Sequence, residues 1–314
     1  MHQELMDLRQ IECFLCLFQQ GNITRAAKHL GIVQSALSTQ ISKLEKDLNI
    51  RLFERSSRGV TPTTAGEKLH KMLLPLSREV DSIQQQMRDL GGESSGIVRV
   101  GLAPSLGVNV VPNALSKYCV DFPNVTIQLS VGYTNILIEN LDAGKIDFAI
   151  TNDTPKLGSL ISNSIMSEEL VLVVARKSKF LTSTIPDFDQ IPPGRLIVPT
   201  NGQVLRSLID DHLHKIGKSM HSHLELDALM PTMELVKTGE WATILPVSAI
   251  SRDLENKVLC IARITNPIKR ELISIYHPRR PLSLAAQNLL QAFEAEVKRV
   301  GQLANQTLQK STQL

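Results

Sequence analysis

Between Asn22 and Leu48 the chain reads NITRAAKHLGIVQSALSTQISKLEKDL, and this stretch restricts the fold more than any other. Thr24 can cap a first helix through its hydroxyl. Ala26, Ala27 and Leu30 give that helix an apolar face, and Gly31 stands where a helix end favours a left-handed backbone. Ile32 and Val33 carry the chain through a tight turn. Ser35 can cap a second helix, whose apolar positions Leu37, Ile41, Leu44 and Leu48 fall at gaps of four, three and four. Such gaps bury one stripe. Beside the stripe stand Gln34, Ser35, Ser38, Thr39 and Ser42. Their short hydroxyls and one amide can approach base edges and phosphates, and glutamine can pair bidentately with adenine. Two helices so joined, with the start of the second offered to the major groove, make a helix-turn-helix. A helical hairpin inside a larger core would share this periodicity, so the next residues have to decide.

They read RLFERSSRGVTPTTAG, residues 51–66. Leu52 and Phe53 suit a core, and Arg55, Ser56, Ser57, Arg58 and Gly59 suit a turn between two short strands, a wing. Arginines on such a loop fit phosphate or minor-groove contact. From Arg25 to Arg58 there are seven Lys and Arg against three Asp and Glu, too small an excess to prove DNA binding by itself. The run ALSTQISKLEKDLNIRLFERSSRGVTPTTAG resembles the N-terminal domain of the LysR-type transcriptional regulators, and the chain is similar to that family in length and order of parts. The resemblance implies base and backbone contacts at Gln34, Ser35, Ser38, Thr39, Arg55 and Arg58. Val33, Ser35 and Thr39 depart from the Ser, Pro and Arg common in the family, which bears on sequence preference.

Downstream, Thr64 and Glu67 have capping-box spacing. Leu69, Leu73, Leu76, Val80, Ile83, Met87 and Leu90 alternate gaps of four and three, a heptad seam that needs a partner helix. The resemblance makes that partner a second subunit, with tetramers common in the family; packing on the chain's own C-terminal domain is the alternative. Pro75 should kink this rod near Lys71. Gly91–Gly96 reads as a flexible hinge.

Beyond it, expected strands at Ile97–Leu102, Val125–Val131 and Lys145–Ile150 alternate with helices at Val108–Val120 and Ile136–Ala143, predicting parallel sheet with helices on its faces. Glu169–Ala175 leads out of a first lobe. Arg195–Val198, His221–Leu226 and Ala242–Leu245, with helices at Val204–Ile216 and Met230–Thr238, suit a second lobe. Glu271–Tyr276 returns the chain, and Ser283 to Ala304 is its last helix. The expected organisation is an all-α winged helix-turn-helix (1–62), a linker helix for dimerisation (63–90), a hinge (91–96), an α/β effector domain of two lobes (97–168 with 270–304, and 169–269) and a frayed tail (305–314). The resemblance likens the two-lobed part to periplasmic solute-binding proteins. Ligands in open α/β sheets sit beyond the carboxyl ends of strands. Ser105, at a helix N-terminus suited to an anion, Thr134, Thr151, Thr200 and Asn201 all follow strands there. The resemblance points to Ser105, Thr134 and Thr200 or Asn201 as contacts of an anionic or polar small-molecule co-inducer. For each hydroxyl, helix capping is the plainer role.

A net charge of +3 permits DNA binding without demanding it. The absence of a run of about 18 apolar residues argues against a membrane partner, and acidic residues interrupt MHQELMDLRQIECF, unlike a signal peptide; the expectation is cytoplasmic. Cys13 and Cys16 have zinc-ligand spacing without a second pair, and Cys119 and Cys260 stand alone, so packing is expected and no metal or cofactor. His221 and His223 would share a face of a strand, while His212 and His214 would not align on a helix. Ala103–Gly107 has the outline of a nucleophile elbow, but the first Gly is missing and no base can be assigned, so no enzyme is expected. A solute carrier is the other rival, opposed by the N-terminal reader. The partners expected are promoter DNA, a second copy, an effector and, for such a regulator, RNA polymerase.

Overall fold

The computed structural model describes residues 6–56, 59–90, 94–181, 191–192, 194–217 and 222–311. The chain divides into two compact units, Met1–Met87 with Asp142–Lys145, and Arg88–Leu141 with Ile146–Leu314.

The first unit begins with α1 (Leu8–Gln20), α2 (Ile23–His29) and α3 (Gln34–Leu48). At α1 a capping box closes, because Gln10 N donates to the Asp7 carboxylate at 2.7 Å and Asp7 N donates to the Gln10 amide oxygen at 3.0 Å. The cap of α2 is Asn22, not Thr24: Asn22 is extended, and its side chain accepts from Arg25 N at 3.0 Å. Nor does Ser35 cap α3. The helix starts one residue earlier, behind an extended Val33 that offers no side-chain cap. Leu37, Ile41 and Leu44 are buried as the stripe requires, with Phe14, Leu17, Ala26, Ala27, Leu52, Phe53 and Val60; Leu48 is exposed. Strands β1 (Phe53–Ser56) and β2 (Gly59–Pro62) pair antiparallel as the wing, with Arg55 opposite Val60. The Glu45 carboxylate accepts from Leu52 N at 2.8 Å and Phe53 N at 3.2 Å, tying the wing to α3. Ser57, Arg58 and Gly91–Glu93, parts of the expected wing turn and hinge, lie outside the described residues.

Helix α4 (Thr64–Asp89) runs unbroken with Pro75 inside it. Its cap is Thr63 instead of Thr64: the Thr63 hydroxyl accepts from Gly66 N at 3.1 Å and donates to Arg51 O at 2.8 Å. Leu73, expected in the dimer seam, is buried in the core of the head, and Leu69 packs against the same cluster. That core is the nearer apolar surface for the first turns of α4. Leu76, Ile83 and Met87 are exposed and Val80 half-buried.

The second unit is an eight-stranded sheet in the order β4-β3-β5-β10-β6-β9-β7-β8. These are β3 (Gly96–Leu102), β4 (Val125–Val131), β5 (Phe148–Asn152), β6 (Ile161–Ala175), β7 (Gly194–Val198), β8 (Ser222–Glu225), β9 (Ala242–Pro246) and β10 (Leu259–Tyr276). Parallel trios stand at either end: β3 pairs with β4 and β5, and β7 with β8 and β9. Between them β6 and β10 run antiparallel to each other through both lobes. The expected lobe divisions at 168/169 and 269/270 therefore fall inside two continuous strands. Helices α5 (Val111–Asp121), α6 (Thr134–Asp142), α7 (Val204–Lys215), α8 (Leu229–Lys237), α9 (Val247–Glu255) and α10 (Leu284–Ser311) complete the unit. α9 and the first half of β10 have no counterpart in the sequence expectation. The tail is also revised: α10 continues to Ser311, because Ala304 and Leu308 are buried against the second lobe while Phe293 and Val297 are buried against the first.

Candidate functional site

Two regions carry polar groups that could meet a partner. On the head, Gln34, Ser35, Thr39 and Ser42 are exposed on α3 and Ser38 is half-buried. The burial of Leu37, Ile41 and Leu44 turns this face outward. The Thr39 hydroxyl donates to Ser35 O at 2.9 Å, keeping its lone pairs outward. An uncapped helix start presents backbone N–H groups and the positive end of the dipole, which suits a phosphate. Lys28, Lys43 and Lys46 are exposed nearby, while Arg25 donates to Gln20 O at 2.8 Å. Arg55 belongs to β1, and Arg58 lies outside the described residues. Cys13 and Cys16 are buried beneath this surface; burial, helped by Glu12, pushes both thiols up.

The second region is a cleft between the two lobes of the sheet, about 630 Å³ with its open mouth included. Its wall is largely apolar: Val198, Val204, Leu205, Leu226, Leu229 and Leu245. At its base Arg270 stands directly opposite Glu168 in the register of β10 and β6, and both are nearly fully buried. Arg270 Nε donates to Glu168 Oε1 at 2.9 Å, and Nη2 donates to the same oxygen and to Ser248 Oγ at 3.4 Å. Nη1 donates to Ser105 Oγ at 2.9 Å and to Asn152 Oδ1 at 3.1 Å. All five guanidinium protons are thereby used. Glu168 also accepts from the Ser248 hydroxyl at 3.0 Å and from Ser248 N at 3.4 Å, in the first turn of α9.

The five residues expected to contact an effector separate. Ser105 and Thr134 line the cleft. Ser105 does so from a 3-10 turn, Pro104–Leu106, and not from the N-terminus of α5, which starts at Val111; an anion seat built on helix amides is absent there. Thr151 is inside β5 and fully buried, its hydroxyl 2.8 Å from that of Thr134. Thr200 is outside the lining and committed to Asp227, which accepts from its N at 3.0 Å, from its hydroxyl, and from Gln203 Nε2 at 3.0 Å. Burial alone would raise the Asp227 carboxyl; these three bonds outweigh it and hold the group below its ordinary value. Asn201 is exposed and also outside the lining. At the mouth, Asn135 Nδ2 reaches across to Gly202 O at 3.3 Å. Burial, with Asp227 nearby, pushes the Tyr133 phenol up to about 12. His212 is buried on α7 and His223 exposed on β8; His221 lies outside the described residues.

Sequence reasoning passed over Arg270, Glu168, Tyr133 and Gln203. The signal for the first two was present. Arg270 holds the slot between Ile268 and Leu272, and Glu168 the slot before Leu170, on the period of two that otherwise selects apolar side chains.

Family models match most of the chain: "LysR substrate binding domain" over residues 91–298 and "Bacterial regulatory helix-turn-helix protein, lysR family" over 8–67. The hydrogen peroxide-inducible genes activator of Haemophilus influenzae is 27% identical over 296 residues, covering 94% of this chain and 98% of that one. A probable RuBisCO transcriptional regulator of Gracilaria tenuistipitata var. liui is 31% identical over 292 residues, covering 89% and 93%. Full-length OxyR from Pseudomonas aeruginosa superposes with a TM-score of 0.72 at 19% identity, covering 95% of this chain and 97% of that one. Full-length CbnR complexed with target DNA gives 0.66 at 19% identity, covering 94% and 99%.

Proposed function

The chain belongs to the LysR family of bacterial transcriptional regulators, and we propose that α3 reads promoter DNA while the lobed cleft reports a small molecule. It is a DNA-binding regulator and not an enzyme, as its relatives are. The observation that carries the reading is the outward face of α3, where short polar side chains surround an uncapped helix start.

Gln34, Ser35, Ser38, Thr39 and Ser42 contact bases and nearby phosphates; Arg55 and Arg58 hold the backbone from the wing. The exposed seam of α4, at Leu76, Ile83 and Met87, pairs with the same helix of a second copy and sets two heads on two half-sites. Pairs of such dimers form a tetramer that can meet RNA polymerase. Residues 1–62 read, 63–90 pair, and the lobes beyond the hinge sense. Among the described residues no helix is long and apolar enough to cross a membrane, and we place the protein in the cytoplasm.

The effector enters between the lobes beside Ser105 and Thr134, and a polar or anionic group suits those hydroxyls. A molecule that binds one lobe arrangement better than another shifts the population of head arrangements. A thiol sensor has less support: Cys119 is exposed on α5, Cys260 is on β10 with its thiol pushed up by burial, and neither lines the cleft.

Gel shifts with promoter fragments test the reading. Retention of particular fragments that weakens with salt is expected, together with a change on adding metabolites that Ser105→Ala removes. Indifference to every fragment at low ionic strength would end it.

A further inference from the structure

An arginine at the base of an apolar cleft is ordinarily a carboxylate receptor, because its planar fork matches the two oxygens. Here that capacity is spent. Glu168 takes the Nε edge and one Nη2 proton, and the remaining protons go to Ser105, Asn152 and Ser248. The pair is formally neutral and buried, with Asp227 adding negative charge beyond the wall. An entering anion would lose its hydration and meet Glu168 as a like charge, and among the described residues that line the cleft Arg270 is the only cation.

What the cleft does offer is neutral donors. Ser105 Oγ accepts from Arg270, so its own proton is free to point elsewhere. Arg270 also fixes the orientation of the Asn152 amide: Oδ1 faces the guanidinium, which leaves the two protons of Nδ2 for the cleft. Ser105 and Asn152 both line it. In the hydroxyl pair behind, a hydrogen bond donated by Thr151 to the Thr134 oxygen would leave the Thr134 proton for the cleft as well.

We propose that Glu168 is a specificity-determining residue, which by neutralising Arg270 makes the cleft a receptor for an uncharged hydrogen-bond acceptor, an amide or carbonyl on an apolar body, and turns away carboxylates. This rests on the reading of the cleft as the effector site and narrows that reading's choice between polar and anionic groups.

Three probes of nearly one shape test it: benzamide, benzoate and benzamidine, titrated into the full-length protein at neutral pH by calorimetry. Benzamide is expected to bind best, by about tenfold over benzoate, since the acid must shed its hydration without gaining a cation. Benzamidine, with donors only, should be weaker still. Glu168→Gln leaves the Arg270 charge uncompensated, and there benzoate should gain about tenfold relative to benzamide. If that variant does not fold, the wild-type ranking decides alone. Benzoate equal to or tighter than benzamide on the wild type, benzamidine first, or no binding by any of the three would each overturn the proposal. Benzamide binding that leaves operator affinity unchanged would instead remove the sensing role and keep the ligand class.

Discussion

At Gly66 the first turn of α4 passes the wing so closely that a Cβ would stand 2.2 Å from Leu52 O, a backbone atom that cannot swing aside. Gly66→Ala is therefore expected to lower the stability of the head by about 1–3 kcal/mol, read as an earlier thermal transition. The glycine was visible in the sequence, yet nothing in one chain says which backbone will cross it. Caps escaped for a related reason. Thr24 and Asn22, or Thr64 and Thr63, are neighbours that can both cap, and the choice depends on which is extended and what its hydroxyl meets, as Thr63 meets Arg51 O. His212 gives a pH test. Burial, then Lys215, holds its pKa below the ordinary 6.5, and its Nε2 is buried without a hydrogen-bond partner. The unfolded chain takes up the proton first as pH falls. This contribution is thus intact above the unfolded value and lost as pH drops through it toward the folded one. Melting curves at about pH 7.5 and about pH 5.5 should show a loss on acidification that His212→Leu reduces; an unchanged loss would assign it to other groups.

Among the elements, periodicity told most. The stripe of α3 as far as Leu44 and the strand β4, Val125–Val131, stand where their patterns put them, while Leu48 at the helix end is exposed. Long elements that serve two neighbours were harder. β6 and β10 pair with each other throughout, but a second neighbour flanks only part of each, β9 along 170–174 and β5 along 272–276, and polar residues around Glu168 and Arg270 break the apolar pattern that would have shown their full length. The end of α10 reads as a tail because its polar face dominates the composition; Ala304 and Leu308 are the buried minority. Leu308→Ala is expected to cost about 2–3 kcal/mol in unfolding by denaturant, whereas a frayed tail would register nothing. Of the proposed cleft contacts, Ser105 and Thr134 could be found because they follow strands. Thr200 and Asn201 follow one too, but Asp227 draws the first away and the second is outside the lining.

For the molecule as a whole, the exposed apolar positions of α4 are the surface on which the proposed dimer would form. Ile83 and Met87 are 60% and 61% exposed, a surface that a second helix would cover. Ile83→Glu with Met87→Glu should shift sedimentation toward the monomer and weaken operator binding in step, because two heads then no longer share one site; an undiminished dimer would move the interface elsewhere. The carboxylate of Glu45 has a further consequence. By gripping the opening amides of the wing strand from the body of α3, it sets each head as a caliper locked at one gauge. A promoter can tolerate drift between its two arms to the extent that the proposed pair of rods gives. Inside one arm the gauge does not stretch, so a single inserted base pair there should silence that arm completely.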